Sequence, residues 1–350
     1  MPRFSAAFLF LGLAMSLNAQ SYQTSRTVID GVDVVQLQNP DGNERVSVAV
    51  SLGNLAYEFS VNGKNAFYAP MDSLAAYAER PRLVGNPFLW PWPNRLDWEG
   101  YYFDGKEYRL NMALGNVRPD GNKQPIHGLV TFSSYWEVID SGADASGAWV
   151  TSQLEYSKHP ELAQQFPFEH RVEMTYRLSG GKLSVTTKVV NLSAASMPVS
   201  LGFHPYYQLH DSPRSEWKIR IAAKDQWLLN DKLTPTTETA PTASQFPNPL
   251  ELPLEGTSLD HVFGGLIRDA DGTARFSFMG RQERIDIFFD EKFDTSVIYS
   301  PTSRAFVCFE PMAGITNALN LQHQGTYKAL QSVAAGETWQ GTYAIQPIGF

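Results

Sequence analysis

Nine residues, Leu201–Leu209 (LGFHPYYQL), set a histidine directly before a proline and a pair of tyrosines. A residue preceding proline is pushed toward extended geometry, so His204 closes the strand-like run Met197–Phe203 with a fixed aim. An imidazole moves protons near neutral pH. Tyr206 and Tyr207 add flat, hydroxyl-bearing surface beside it. That combination suits a sugar, whose C–H faces stack on rings while its hydroxyls take polar groups. The bland alternative is a satisfied core histidine at a turn. A second proton carrier stands in VCFEPM, where Glu310 ends an apolar strand before Pro311. A partly desolvated carboxylate at a sheet rim has raised proton affinity and is a candidate base. Its alternative role is that of a buried ion-pair partner.

Binding groups are expected in loops between strands. Pro87–Leu96 (PFLWPWPNRL) is stiff and aromatic, with Asn94 and Arg95 at its end. A guanidinium held there can fork onto neighbouring hydroxyls, or simply cover a turn. In Gln124–Val130 (QPIHGLV), His127 precedes Gly128, where backbone can approach a ligand closely. Asp260 and His261 lie in LDHVF; a turn-capping aspartate is the plain alternative for Asp260.

The elements that must position these groups have a period of mostly two. Val150–Tyr156, Glu169–Tyr176, Lys182–Val190, Ala274–Phe278 and Thr338–Ile345 alternate apolar and polar residues. Asn62-Gly63 and Gly180-Gly181 read as two-residue hairpin loops. Helical signals are confined to Ser73–Glu79 and Glu161–Gln165. Without linker, repeat or low-complexity tract, residues 20–350 read as one antiparallel all-β domain with two broad sheets packed face to face.

The ordered set Arg95, Gly105-Lys106, Tyr108-Arg109-Leu110, Ile126-His127-Gly128, Gly202–Tyr206, Leu259-Asp260 and Phe309-Glu310-Pro311 resembles the aldose 1-epimerase (galactose mutarotase) family. The resemblance implies a β-supersandwich and metal-free interconversion of the α and β anomers of free sugars such as glucose or galactose. By the same resemblance Glu310 is the catalytic base, His204 the acid, and His127 a second histidine at the anomeric end. Arg95 and Asp260 then hold hydroxyls, with Asn94 and Tyr206 beside them. The expected charge states are a Glu310 carboxylate and a His204 imidazolium. Departures are Gly128-Leu129, where a double glycine is common, and Tyr207, where phenylalanine is frequent. No basic cluster for a sugar phosphate accompanies the motifs, Arg80 and Arg82 being the nearest approach.

Two other classes fit less well. A non-catalytic sugar-binding protein would need neither Glu310 nor His204. A glycoside hydrolase needs two carboxylates across one bond, and here the acid position is a histidine; a polysaccharide lyase would favour a basic groove. His127, His204 and Glu310 lack helical metal-ligand spacing, and no glycine-rich phosphate loop is present, so neither a metal nor a cofactor is expected.

Composition sets the remaining bounds. In 350 residues, 43% hydrophobic and 13% aromatic, there is ample material for a large core. Arg3, the apolar run Phe4–Leu17 and the small residue Ala19 read as a secretory signal cleaved before Gln20, which implies a periplasmic or secreted protein. The run is short for a membrane span. Cleavage would remove one charge, Arg3, leaving 27 basic against 36 acidic residues and a net charge of −9. Such a surface repels nucleic acid and anionic lipid and favours neutral ligands. Cys308, the single cysteine, lies in the apolar run Ala305–Phe309, where thiolate formation is disfavoured.

Overall fold

The computed structural model describes residues 22–350, so the expected signal Met1–Ala19 lies outside the described residues. Strands dominate, as the alternation implies. His170–Ser179 and Lys182–Asn191 bury every second side chain without interruption, which period two requires of a sheet with one face in the core. Both expected hairpins form: Val61 pairs with Lys64 and Ser179 with Lys182, across loops whose central residues all have positive φ.

Three large antiparallel sheets build the molecule, of five, nine and eight strands. The nine- and eight-stranded sheets face each other across one core, with Phe276 on Phe309 (ring centroids 5.8 Å apart) and Phe203 on Tyr343 (4.8 Å). The five-stranded N-terminal sheet adds Val35, Leu37, Val46, Val48 and Phe59 to that core. Helices are short. Ser73 caps Leu74–Glu79 by accepting a hydrogen bond from the Ala76 amide, and Pro160–Ala163 forms one turn near the other expected position. Ala318–His323 is a helix that the pattern did not announce.

The strand-like run Met197–Phe203 is divided between two sheets. Met197–Val199 pairs with Gln331–Val333, whereas Gly202–Phe203 enters the eight-stranded sheet. The aromatic loop Pro87–Leu96 is anchored by Trp90 and Trp92, both buried in the core. The Trp90 indole N–H donates to Nε2 of His170 (2.9 Å), whose Nδ1–H in turn donates to the Phe168 carbonyl (2.7 Å).

His170 has no room for a second proton, and burial lowers its pKa from 6.5 to about 4. The unfolded chain therefore takes up a proton first on acidification. Stability owed to this group is complete above pH 6.5 and is lost as pH falls toward 4. The loss amounts to about 3 kcal/mol, at 1.36 kcal/mol per pKa unit. In denaturant titrations the gap between wild type and His170→Gln should shrink by that order from pH 7.5 to pH 4. A gap independent of pH would contradict this account.

Candidate active site

The register of the eight-stranded sheet brings the proton carriers together. Gly202 pairs with Met312 and Tyr206 with Cys308, and the same register sets His204 opposite Glu310. Pro205 lacks an N–H, and the ladder opens there. On the next strands Asp260 pairs with Tyr299, and Tyr299 with Cys308. Because side chains alternate, Asp260, Tyr299, Cys308, Glu310, His204 and Tyr206 share one sheet face. His261 turns to the other side, against Phe246 and Phe263.

Two loops complete the site over that face. Arg95 bridges to Ile126, the Leu96 amide donates to the Pro125 carbonyl, and the His127 amide donates to the Asn94 carbonyl at 2.8 Å. This clasp sets Asn94, Arg95, Ile126 and His127 side by side. Asn94 (φ 50°) and His127 (φ 64°) both adopt left-handed backbone, a strained choice for residues with a Cβ. Gly128 follows at φ 64°, and its Cα lies so near Trp90 that a Cβ would meet the Trp90 carbonyl oxygen at 2.1 Å. The glycine is thus needed for backbone packing, not for approach to a ligand.

Asn94, Arg95, His127, His204, Tyr206, Asp260 and Glu310, every site residue expected from sequence, line one cavity of about 250 Å³. Leu83, Ile126 and Tyr299 line it too. Tyr299 was not singled out from sequence, because only the pairing of strand Thr295–Ser300 shows which face it takes. Tyr207 is fully buried against Phe67 and lies outside the cavity, contrary to its expected place beside His204. Arg82 is occupied with the Pro70 carbonyl.

Within the cavity, His204 Nε2 stands 3.4 Å from Glu310 Oε1, and the imidazole stacks on Tyr206 at 4.7 Å with 3° between ring planes. His127 meets His204 edge to face at 5.3 Å. Among the described residues, Nδ1 of both histidines and Oε2 of Glu310 are buried without hydrogen-bond partners. Such atoms are costly to leave unpaired, and a ligand in the cavity can satisfy them.

Burial governs the charges. Desolvation, then the nearby Asp260 carboxylate, raises the proton affinity of Glu310 well above the usual carboxylate range, while Arg95 opposes the shift. Desolvation lowers His204 to about 3 and takes His127 well below 6.5. Both shifts are toward the uncharged forms, a protonated Glu310 beside a neutral His204. The carboxylate–imidazolium pair expected for the reaction is the other arrangement, in which the low-dielectric cavity disfavours both charges. The two arrangements hold the same single proton. Asp260 is also raised by burial, with Arg95 opposing. Cys308 behaves as expected: its thiol is fully buried and pushed up. Among the described residues no cluster of three or more His, Cys, Asp or Glu side chains is placed to hold a metal ion.

One residue that orients the site escaped the sequence reading. Asp120 takes the Arg95 Nε–H on Oδ2 (2.7 Å), while its Oδ1 accepts the amides of Asn122 and Gln124 (2.8 and 2.9 Å). Arg95 also donates to Asn94 Oδ1 (2.9 Å). The guanidinium is fixed on two sides, leaving its remaining N–H groups for the cavity. The pattern Asp120-Gly121-Asn122 announces an Asx turn; only the fold shows what the second oxygen holds. Asp120→Asn should loosen Arg95 and raise KM about tenfold, with kcat less affected. An unchanged KM would show that Arg95 needs no such anchor.

A sequence model of the aldose 1-epimerase family matches residues 33–346. The chain belongs to the aldose 1-epimerase family. Among curated relatives, the uncharacterized protein YihR of Escherichia coli (strain K12) is 26% identical over 160 residues, which is 45% of this chain and 47% of YihR. Human galactose mutarotase is 29% identical over 167 residues, 45% of this chain and 44% of that protein. The chain thus spans about half the length of the curated relatives it matches. Solved structures extend the likeness of fold over nearly the whole chain. A galactose mutarotase-like protein from Clostridium acetobutylicum superposes with a TM-score of 0.83 at 22% identity, covering 94% of this chain and 99% of that one. For galactose 1-epimerase from Lactobacillus acidophilus NCFM the TM-score is 0.74 at 15% identity, covering 93% and 99%. The galactose mutarotase-like sandwich expected from the sequence is the observed fold.

Proposed function

We propose that this protein is an aldose 1-epimerase that interconverts the α and β anomers of free hexoses by acid–base ring opening and closure. The observation that carries the reading is the buried His204–Glu310 pair, 3.4 Å apart, sharing a sugar-sized cavity with Arg95 and Asp260. Opening a hemiacetal needs one group to take the C1 hydroxyl proton and another to protonate the ring oxygen. The pair meets both needs with its single proton.

The positive charge of Arg95 opposes protonation of Glu310, and a bound hydroxyl donating to the carboxylate acts in the same sense. Together they favour passing the proton from Glu310 Oε1 to His204 Nε2. Glu310 then removes the C1 hydroxyl proton while His204 protonates the ring oxygen, and the C1–O5 bond breaks. The aldehyde rotates about C1–C2. Closure on the opposite face returns both protons. Arg95 and Asp260 grip hydroxyls remote from C1, and His127 borders the anomeric end. General acid and general base contribute about 10²–10⁴-fold each.

Polarimetry on freshly dissolved α-glucose and α-galactose tests the reading. A change in rotation no faster than the spontaneous one for both sugars, with sugar binding intact, would instead support a non-catalytic sugar-binding protein. We further propose export to the periplasm or medium with loss of Met1–Ala19. Mass spectrometry of the exported protein should find Gln20 at or near the N-terminus; an intact Met1 in the soluble fraction would refute it.

A further inference from the structure

The imidazole that must hand over a proton is oriented by rings, not by hydrogen bonds. Among the described residues His204 Nδ1 is buried without a partner, and Nε2 stands 3.4 Å from Glu310 Oε1, too far for a strong hydrogen bond. Rotation of an imidazole about χ2 is only weakly restricted by its own torsion. Its surroundings must therefore aim Nε2 at the carboxylate. Tyr206 lies parallel to the imidazole, with 4.7 Å between centroids and 3° between planes. His127 (5.3 Å, 75°) and Tyr299 (6.1 Å, 81°) meet the same ring edge to face.

Tyr206 is itself held fast. Its amide donates to the Gly85 carbonyl and its carbonyl accepts from the Tyr68 amide, both at 2.8 Å, while it pairs with Cys308 in the sheet. Phe306 meets its ring edge to face at 4.9 Å, and Tyr68 and Tyr299 pack on Phe306 at 5.2 and 5.9 Å. Tyr206 is 7% exposed, so its ring leaves little surface for a ligand. The flat surface expected to stack on a sugar is taken up by the histidine.

We propose that Tyr206 is a positioning residue for the acid: its ring aims His204 at Glu310 and keeps water from the imidazole, and it acts on the sugar through His204. The inference rests on the epimerase reading for its kinetics, whereas the state of His204 can be read without turnover. Glu310, His127, Tyr206 and Tyr299 face the imidazole, and the cations of Arg95 and Arg118 act on it. Burial is the main cause that lowers His204 to about 3, and the two cations act in the same sense. Removing the Tyr206 ring admits water and leaves every charge in place, so the proton affinity of His204 should rise toward the ordinary 6.5.

The test combines polarimetry on glucose and galactose with an NMR titration of isotope-labelled histidine rings, the His204 signal being assigned with His204→Asn. Tyr206→Leu and Tyr206→Ala should lower kcat at least about tenfold, because a misaimed acid transfers its proton poorly. Both should also move the acid limb of kcat upward by at least about one pH unit. Tyr206→Phe keeps the ring, so it should recover most of the kcat lost in Tyr206→Leu and keep the low acid limb. In the NMR titration His204 should stay neutral down to about pH 5 in wild type and Tyr206→Phe, and titrate above that pH in the other two. Circular dichroism identifies a misfolded variant; Tyr206→Leu decides if Tyr206→Ala does not fold. A His204 signal that titrates near pH 6.5 in wild type would overturn the proposal whatever the variants do. So would a fall in kcat at every pH in Tyr206→Leu with the titration of His204 unmoved, the mark of a merely structural role. A Tyr206→Phe variant as impaired as Tyr206→Leu, with KM raised in both, would assign the hydroxyl to the sugar instead. The expected NMR shifts without mutarotation of either sugar by wild type would uphold the positioning of His204 and overturn the epimerase reading.

Discussion

Replacing Glu310 by Gln, or His204 by Asn, should lower kcat for mutarotation at least about a hundredfold while sugar affinity stays within roughly tenfold. Each change keeps approximate shape and removes one proton-transferring group from a pair 3.4 Å apart. The double variant should be scarcely worse than the poorer single one, because both groups act on one concerted step and their losses do not add. The pH profile follows from the shared proton. Activity requires one proton on the pair, so the acid limb marks uptake of a second proton and the alkaline limb marks loss of the first. Burial lowers His204 and raises Glu310, which moves the acid limb below the ordinary histidine range and the alkaline limb above the ordinary carboxylate range. An acid limb near pH 6.5 would show that the imidazole titrates as if exposed. Near-wild-type mutarotation in Glu310→Gln would remove the epimerase assignment from this site.

Gly128→Ala should destabilise the protein by roughly 2–5 kcal/mol, combining left-handed strain with a backbone clash. A Cβ at position 128 would stand 2.1 Å from the Trp90 carbonyl oxygen and 2.4 Å from its carbon, where φ is already +64°. Relief requires separating loop segments joined by the Leu129 amide, which donates to that carbonyl at 2.7 Å. His127 would move with them, so kcat/KM should fall even at temperatures where the variant stays folded. Gly121→Ala is the control, since nothing lies within 4 Å of its Cβ position. It should change stability by less than about 0.5 kcal/mol. Chemical denaturation of the two variants decides the matter: equal stability would mean that the loop accommodates a side chain freely.

Much of this protein follows from residue order alone. Asn62-Gly63 and Gly180-Gly181 dictate tight hairpins because each loop position needs positive φ, which these residues tolerate. Long alternating runs dictate broad sheets with one buried face. The types and order of Arg95, His127, His204, Asp260 and Glu310 were enough to indicate sugar chemistry, and all five line one cavity.

Tertiary structure decided the rest, for reasons that local sequence does not carry. Whether a tyrosine meets ligand or core depends on strand register, which sends Tyr206 to the cavity and its neighbour Tyr207 against Phe67. The proline-rich loop Pro87–Leu96 does not by itself show where its tryptophans go; Trp90 packs on His170 and Phe166, and both Trp90 and Trp92 are buried. Asp120 gains its role only when the segments around Arg95 and Ile126 meet. The proton affinities of His204 and Glu310 are not legible from their types, because they are set by desolvation and by neighbours such as Asp260, distant in sequence. Period, turn chemistry and residue type are local properties and legible in one chain; register, burial and electric field arise only once distant strands have paired.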